Sequence, residues 1–377
     1  MNNLNDMRKQ YVNLLNNAKF ADRGWAYTAL TYLDNGFYSP DEIIDQALSI
    51  GFSLDTPFIK IKRGTHIEKG AFLIGNTVID GENICIGKGT VVENAHISGS
   101  NSVFGSNNRI YGKISTGNLN IGNENYINTI HGNNKGTVVI GNNNTIEEIT
   151  IENVGTSIEI GNSNSLHRNL NINGILPNGK IYIGDFNSLG RDGGGVISNS
   201  YRYNKNWWGD VIVGSFVETT RGAEILGFSA IGICLSKQEE ENIRKYLIHG
   251  SLANIHDWFI SVRKNIRLPT NRKQDSVKLF GSAKTKMSCL VHNVQIKEQT
   301  RIHNSFLENI IIPERCTVYF TTVQNPEAQI QINTSDIVIE EINITQDMDW
   351  KNFPSKTDSE GYRGDEASFY DSENAYR

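Results

Sequence analysis

Proline and cysteine are both scarce in this chain, and each scarcity excludes something. Four cysteines, Cys85, Cys234, Cys289 and Cys316, stand far apart in 377 residues and form no CxxC pair. That spacing excludes a disulfide framework and a zinc site, leaving four reduced cysteines used as small hydrophobes. No apolar run approaches the roughly 20 residues needed to span a bilayer. The opening residues, Met1 to Asp6, lack an apolar signal core, so the expected location is cytoplasmic. A basic excess is missing as well: the net charge is -5, which argues against a nucleic-acid partner. Nucleophile elbow, phosphate-binding loop and HExxH motifs are all absent. What the chain does have is 35 glycines against 7 prolines, and many asparagines through its middle. That composition suits many tight turns rather than long helices.

The turns come at a steady period. Ile121-Gly122-Asn123-Glu124-Asn125-Tyr126-Ile127 is repeated at Ile140 to Ile146, Ile160 to Leu166 and Ile183 to Leu189, with weaker copies from Ile86 and Phe104. Starting points at 86, 104, 121, 140, 160 and 183 are 17 to 23 residues apart. A fixed self-similarity of this kind marks a solenoid. Within each copy the leading and trailing aliphatics are six residues apart, and Ile61, Ile67, Leu73 and Ile79 keep the same step. Six residues make one flat side, and three sides make a coil of about 18 residues. The aliphatic at the start of each side is expected to point inward, where neighbouring coils stack a continuous core. The Gly after it takes a corner that a larger side chain would crowd. The Asn after that is expected to adopt left-handed backbone angles and bond to its own turn. Stacking aligns Asn108, Asn125, Asn144, Asn164 and Asn187 into one column, and Asn123, Asn142 and Asn162 into a second. Two uses of the columns stay open: ladders that only stabilise the coil, or a row binding a saccharide, for which Asn144 and Asn164 are the candidates.

Residues around this core divide further. Segment 1–56 reads as helical, with Ser39-Pro40-Asp41-Glu42 as a helix start. The β-helical part spans 57–235. Residues 236–275 form a helical insert and linker: Ser236 and Glu239 have capping-box spacing, and Leu247, Ile248, Leu252, Ile255, Trp258, Phe259 and Val262 make an apolar stripe. Six-residue steps return at Leu290, Ile296 and Ile302, so 276–345 reads as further β coils or a small sheet beside them. Residues 346–377 read as a flexible acidic tail. The fold class expected is mainly β: a left-handed parallel β-helix solenoid with an N-terminal helical segment, a helical insert and a C-terminal β extension.

The six-residue steps through Val213, Thr219, Ile225 and Ile231, with Gly214-Ser215-Phe216-Val217-Glu218 and Gly222-Ala223-Glu224 between them, resemble coils of the hexapeptide-repeat acyltransferase superfamily. The resemblance covers about 58–235 and extends into 276–345. It implies transfer of an acyl group, with acetyl-CoA as donor, to a sugar, nucleotide-sugar or surface polysaccharide. It also implies a homotrimer, with the donor in the groove between neighbouring solenoids. Acyl transfer needs a base, and His is the usual choice. Of eight histidines, His131 and His167 are the candidates, since both fall in segments read as irregular and outward, His131 in a corner bulge. Neither sits in a family motif. The coil at 190–212 carries an insertion whose Tyr201, Tyr203, Trp207 and Trp208 are candidate substrate contacts, because exposed aromatics need burial or a partner. A different class of function also fits: a non-catalytic β-helix scaffold, or a carbohydrate- or protein-binding module, which the regular Asn columns and the missing catalytic motif favour.

Overall fold

In a computed structural model, the described residues are Lys9, Asn13, 60–350 and Phe353, with the exception of 63–64, 69–70, 75, 99–100, 116–117, 133–135, 154–155, 168–169, 175–178, 192–195, 199–208, 221, 324–325, 327, 341 and 346–347. The helical segment expected over 1–56 and the acidic tail fall almost wholly outside them. The chain divides into two compact units, Met1–Val154 and Gly155–Arg377. Each is built from short parallel strands that pair with strands one coil away.

In the first unit the inward aliphatics form three columns. Val92, Ile110, Ile127 and Ile146 align strand to strand, as do Ile86, Phe104, Ile121 and Ile140, and as do Ile79, Ile97 and Ile114. All are buried. Three columns mean three sides per coil, the six-residue steps of a left-handed parallel β-helix. One strand can serve two sides. Arg109–Ser115 pairs through 109–111 with Val91–Glu93 and through 114–115 with His96–Ser98. It turns the corner at Gly112, whose φ is +74°.

The Gly-Asn corner works differently from the sequence expectation. Gly105 is needed for close approach and not for backbone freedom: a Cβ there would lie 2.5 Å from the Gly122 carbonyl oxygen of the next coil. The left-handed residue is one position later than expected, at Asn107, Glu124, Asn143, Ser163, Phe186 and Phe216. This frees the Asn after the Gly for the coil axis. The Ser106 N–H donates to Asn123 Oδ1 and the Asn123 N–H to Asn142 Oδ1, both at 2.7 Å. The inner column is buried and amide-bonded: Asn125 Nδ2 donates to Asn108 Oδ1 and Asn144 Nδ2 to Asn125 Oδ1, both at 3.0 Å.

The second unit follows the same plan, and among the described residues a helical insert interrupts it. After strand Ser229–Ile231 the chain leaves the coil and forms helices α1 (Lys237–His249) and α2 (Leu252–Lys264). Ser236 and Glu239 close a capping box on α1. The chain re-enters at Val277–Leu279, which pairs in parallel with Val217–Thr220 as if the insert were absent. Ile255, Trp258, Phe259 and Val262 of α2, with Ile243 and Leu247 of α1, pack on Ile212, Ala230, Cys289 and Phe306. Arg244 pins α1 to the coil: its guanidinium lies 3.9 Å over the Phe306 ring and 2.8 Å from Glu308 Oε1. Beyond the insert, strands from Val277 to Ile344 are further coils in register with those before it, with Val277 opposite Val294, Ile296 opposite Ile312 and Val318 opposite Ile339. No helix among the described residues is long and apolar enough to cross a membrane.

Candidate active site

One side of the second unit carries an outward row in which Ser165, Ser188, Glu218 and Lys278 stand opposite one another on consecutive strands. Neighbouring strands lie about 4.8 Å apart, so the row spans three such steps. His167 lies two residues beyond Ser165 and therefore shares its face. Its Nε2 is 3.0 Å from Ser165 Oγ, and both side chains are half-buried. The strand Ser188–Arg191 is irregular here. Its pairing with Val217–Thr220 shifts register between Ser188 and Arg191, Gly190 has φ +75°, and the Gly190 N–H donates to Thr219 Oγ1 at 2.8 Å. A bulge of this kind re-aims neighbouring side chains. Beyond it, Glu218 is held between two cations, Lys278 at 3.5 Å and Arg191 at 3.8 Å.

At the corner preceding this row, Phe186 and Phe216 stack, with ring centroids 5.8 Å apart and 17° between planes. They occupy the left-handed corner position, with φ of +59° and +60°. A bulky side chain is unusual there. Phe186 nonetheless remains 56% exposed. Together with Ser188, Glu218, Lys278, Ser276, Arg272 and Lys273, the two rings line an open cavity of about 260 Å³. Arg272 and Lys273 come from the helical turn Arg272–Asp275, in the stretch read from sequence as linker.

The residues nominated from sequence are spread over both units. His131 is not in a corner bulge. It lies inside strand Tyr126–Gly132, opposite Ser115 on one side and Thr150 on the other, and Ser98 continues the row beyond Ser115. The pairing with Arg109–Ser115 shifts register at the corner, between Asn128 and Ile130, where Thr129 has φ +67°, and it resumes on both sides at Ile130 and His131, so the segment stays in the coil. On the same side of that unit His96 Nε2 is 3.1 Å from Asp80 Oδ2, an imidazole and carboxylate pair. Asn144 is 1% exposed and donates to Asn125. Asn164 is also buried; it donates to the Gly184 carbonyl at 2.8 Å and accepts from the Asn187 N–H at 2.9 Å. Both amides are thus engaged inside the coil. Tyr201, Tyr203, Trp207 and Trp208 lie outside the described residues. Sequence reasoning passed over Phe186, Phe216, Glu218, Lys278, Arg272 and Lys273. The available signal was Phe186 standing where neighbouring repeats carry Asn143 and Ser163.

No family model matches the chain, and neither does any curated protein sequence. Among solved structures, the chain is similar to UDP-N-acetylglucosamine O-acyltransferase from Moraxella catarrhalis RH4, at 14% identity and a TM-score of 0.23, over 68% of this chain and 71% of that one. That likeness is too weak to carry an argument about activity, and the strand register is what defines the fold.

Proposed function

We propose that this protein is an acyltransferase that moves an acetyl group from acetyl-CoA to a hydroxyl or amine of a sugar, nucleotide-sugar or surface polysaccharide. The observation that carries the reading is the Ser165–His167 pair, one strand along the row from Ser188, which lines the Phe186–Phe216 cavity. If His167 Nε2–H donates to Ser165 Oγ, the tautomer is fixed and Nδ1 keeps its lone pair. That nitrogen then takes the proton from the acceptor group as it bonds to the thioester carbon, and gives it to the coenzyme A sulfur as the C–S bond breaks, a role for a positioned base with a contribution of roughly 100- to 10,000-fold in rate. The cavity holds the acceptor ring, and Glu218 with Ser188 accepts its hydroxyls. Acetyl-CoA would supply the acetyl group as an activated thioester. At about 260 Å³ the cavity is below the roughly 300 Å³ at which pockets begin to take drug-sized ligands, so the whole coenzyme does not fit in it. The donor is assigned instead to a groove between copies in a homotrimer, and the protein to the cytoplasm.

The test is thermal unfolding of the full chain with and without acetyl-CoA. A ligand at 100 times its Kd adds about 2.7 kcal/mol, so the melting temperature is expected to rise. An unchanged melting temperature at millimolar acetyl-CoA contradicts the assignment.

A second reading is favoured by the exposed Phe186–Phe216 stack, since an aromatic platform with polar neighbours holds a saccharide without any base. On that reading the protein is a carbohydrate-binding module. It would give a glycan-array signal indifferent to acetyl-CoA.

A further inference from the structure

We infer that the Phe186–Phe216 cavity takes a sugar bearing an anionic group, a carboxylate or a phosphate. The inference rests on assigning this cavity to the acceptor, as above. Its first support is conformational. A left-handed backbone costs an ordinary residue about 1–2 kcal/mol, and earlier coils fill this corner position with Asn107, Glu124, Asn143 and Ser163. Phe186 and Phe216 accept that cost on consecutive coils, and Phe186 does not recover it by burial, being more than half exposed. Phe228 is left-handed too, but it is buried; strain that burial does not offset clusters at functional sites. Two rings stacked in parallel on a surface offer a flat apolar face the size of a pyranose ring, and the cavity volume of about 260 Å³ matches one ring and not a chain of them.

Charge is the second, independent support. Arg272, Lys273 and Lys278 line the cavity with one carboxylate, Glu218, and Glu218 already serves Lys278 and Arg191. Among the described residues neither Arg272 nor Lys273 forms an ion pair, and Asp275 of the same turn is held instead by His292 Nδ1 at 2.9 Å, although the chain as a whole carries a net charge of -5. The nearby Asp185 carboxylate is engaged by the coil: its Oδ1 accepts from the Asn162 N–H at 2.6 Å and from Asn162 Nδ2 at 3.1 Å. An aromatic platform flanked by two available cations, with Ser188, Ser276 and Glu218 to meet hydroxyls, selects a ring with a negative substituent.

The experiment is calorimetric titration of the full chain, without acyl donor, with glucuronate, with α-glucosyl phosphate and with neutral glucose. At least one anionic sugar is expected to bind ten or more times more tightly than glucose, and which one does so identifies the anionic group. Phe186→Asn is expected to abolish this binding without lowering the unfolding midpoint, because Asn143 occupies the same position elsewhere. Arg272→Gln with Lys273→Gln is expected to bring the anionic sugars down to the affinity of glucose. Equal affinity for glucose, binding unaffected by Phe186→Asn, or no binding of either anionic sugar at millimolar concentration overturns the inference. Anionic sugar binding without any acetyl transfer leaves the inference intact and removes the acyltransferase. Transfer to neutral sugars alone does the opposite.

Discussion

Phe186 and Phe216, one coil apart, stack their rings at 5.8 Å while both hold a left-handed backbone. In the earlier coils the same corner position carries small or polar residues, so the coil itself does not ask for aromatics. The regular coil and the candidate site therefore make different demands on the same corner, and the two can be separated by mutation.

The buried amide column is the first place to separate them. Asn125 Nδ2 donates to Asn108 Oδ1, to the Asn123 carbonyl and to the Gly141 carbonyl, and Oδ1 accepts from the Asn144 N–H and Nδ2. Asn125→Ala removes these partners inside the core, where each orphaned polar group costs about 1–3 kcal/mol. A loss of roughly 3 kcal/mol or more is expected from urea unfolding. A loss within about 0.5 kcal/mol would mean that the column contributes little.

Close approach and backbone freedom make glycine necessary for different reasons, and two alanine substitutions tell them apart. At Gly214 a Cβ would lie 1.8 Å from the Gly232 carbonyl oxygen of the next coil. Gly214→Ala is expected to cost more than about 4 kcal/mol, or to prevent folding. At Gly222, with φ +77°, the nearest atom to a Cβ is Ser282 Oγ at 4.0 Å. Gly222→Ala should cost only the backbone penalty of about 1–2 kcal/mol, measured by thermal unfolding.

His303 makes stability depend on pH. It is buried against Tyr319 and Phe320, with ring centroids 6.0 and 6.4 Å away. Burial first, and then the Lys286 charge, lower its pKa from 6.5 to about 3. The unfolded chain binds a proton at this site between those values and the folded chain does not, so this contribution to stability is full above about pH 6.5 and falls as the pH drops towards 3. The expected slope is about 1.4 kcal/mol per pH unit in that window. Urea midpoints followed from neutral to acid pH measure it, and His303→Phe should flatten the curve. An equally steep curve in the variant would assign the slope to other groups.

Arg244 holds the insert on the coil. Arg244→Met strips the guanidinium from the buried Glu308 carboxylate and from the Phe306 ring, and should cost about 3–5 kcal/mol. Faster amide hydrogen exchange across Lys237–His249 is expected, and Glu308→Gln in the same chain should recover part of the loss. Unchanged protection would show that Ile243 and Leu247 suffice to dock α1.

Much of the fold was legible because the coil writes itself into the sequence at fixed intervals. Ile86, Phe104, Ile121 and Ile140 recur at the coil period because each must fill the same place in the core. The insert was legible because the Ser236–Glu239 box and the stripe from Ile255 to Val262 depend on local helix geometry. The candidate site was not. Glu218 and Lys278 meet only because the chain leaves the coil after Ile231 and returns in register, and no local pattern announces that pairing. Phe186 departed visibly from the Asn and Ser of its repeats, yet spacing does not reveal that the position is left-handed and exposed. His131 shows the converse error: the stretch from Thr129 looked like a bulge that leaves the coil, but the strand continues through Thr129, with a register shift against Arg109–Ser115 and pairing resumed at Ile130 and His131 on both sides.

The acyl-transfer reading is tested most directly by release of free coenzyme A from acetyl-CoA in the presence of sugar acceptors, compared between the native chain and His167→Ala. Turnover by the native chain is expected, with kcat lower by roughly 100-fold or more in the variant while its unfolding midpoint stays within the native range. Absence of turnover with every acceptor, or equal turnover in both proteins, would contradict the role given to the Ser165–His167 pair.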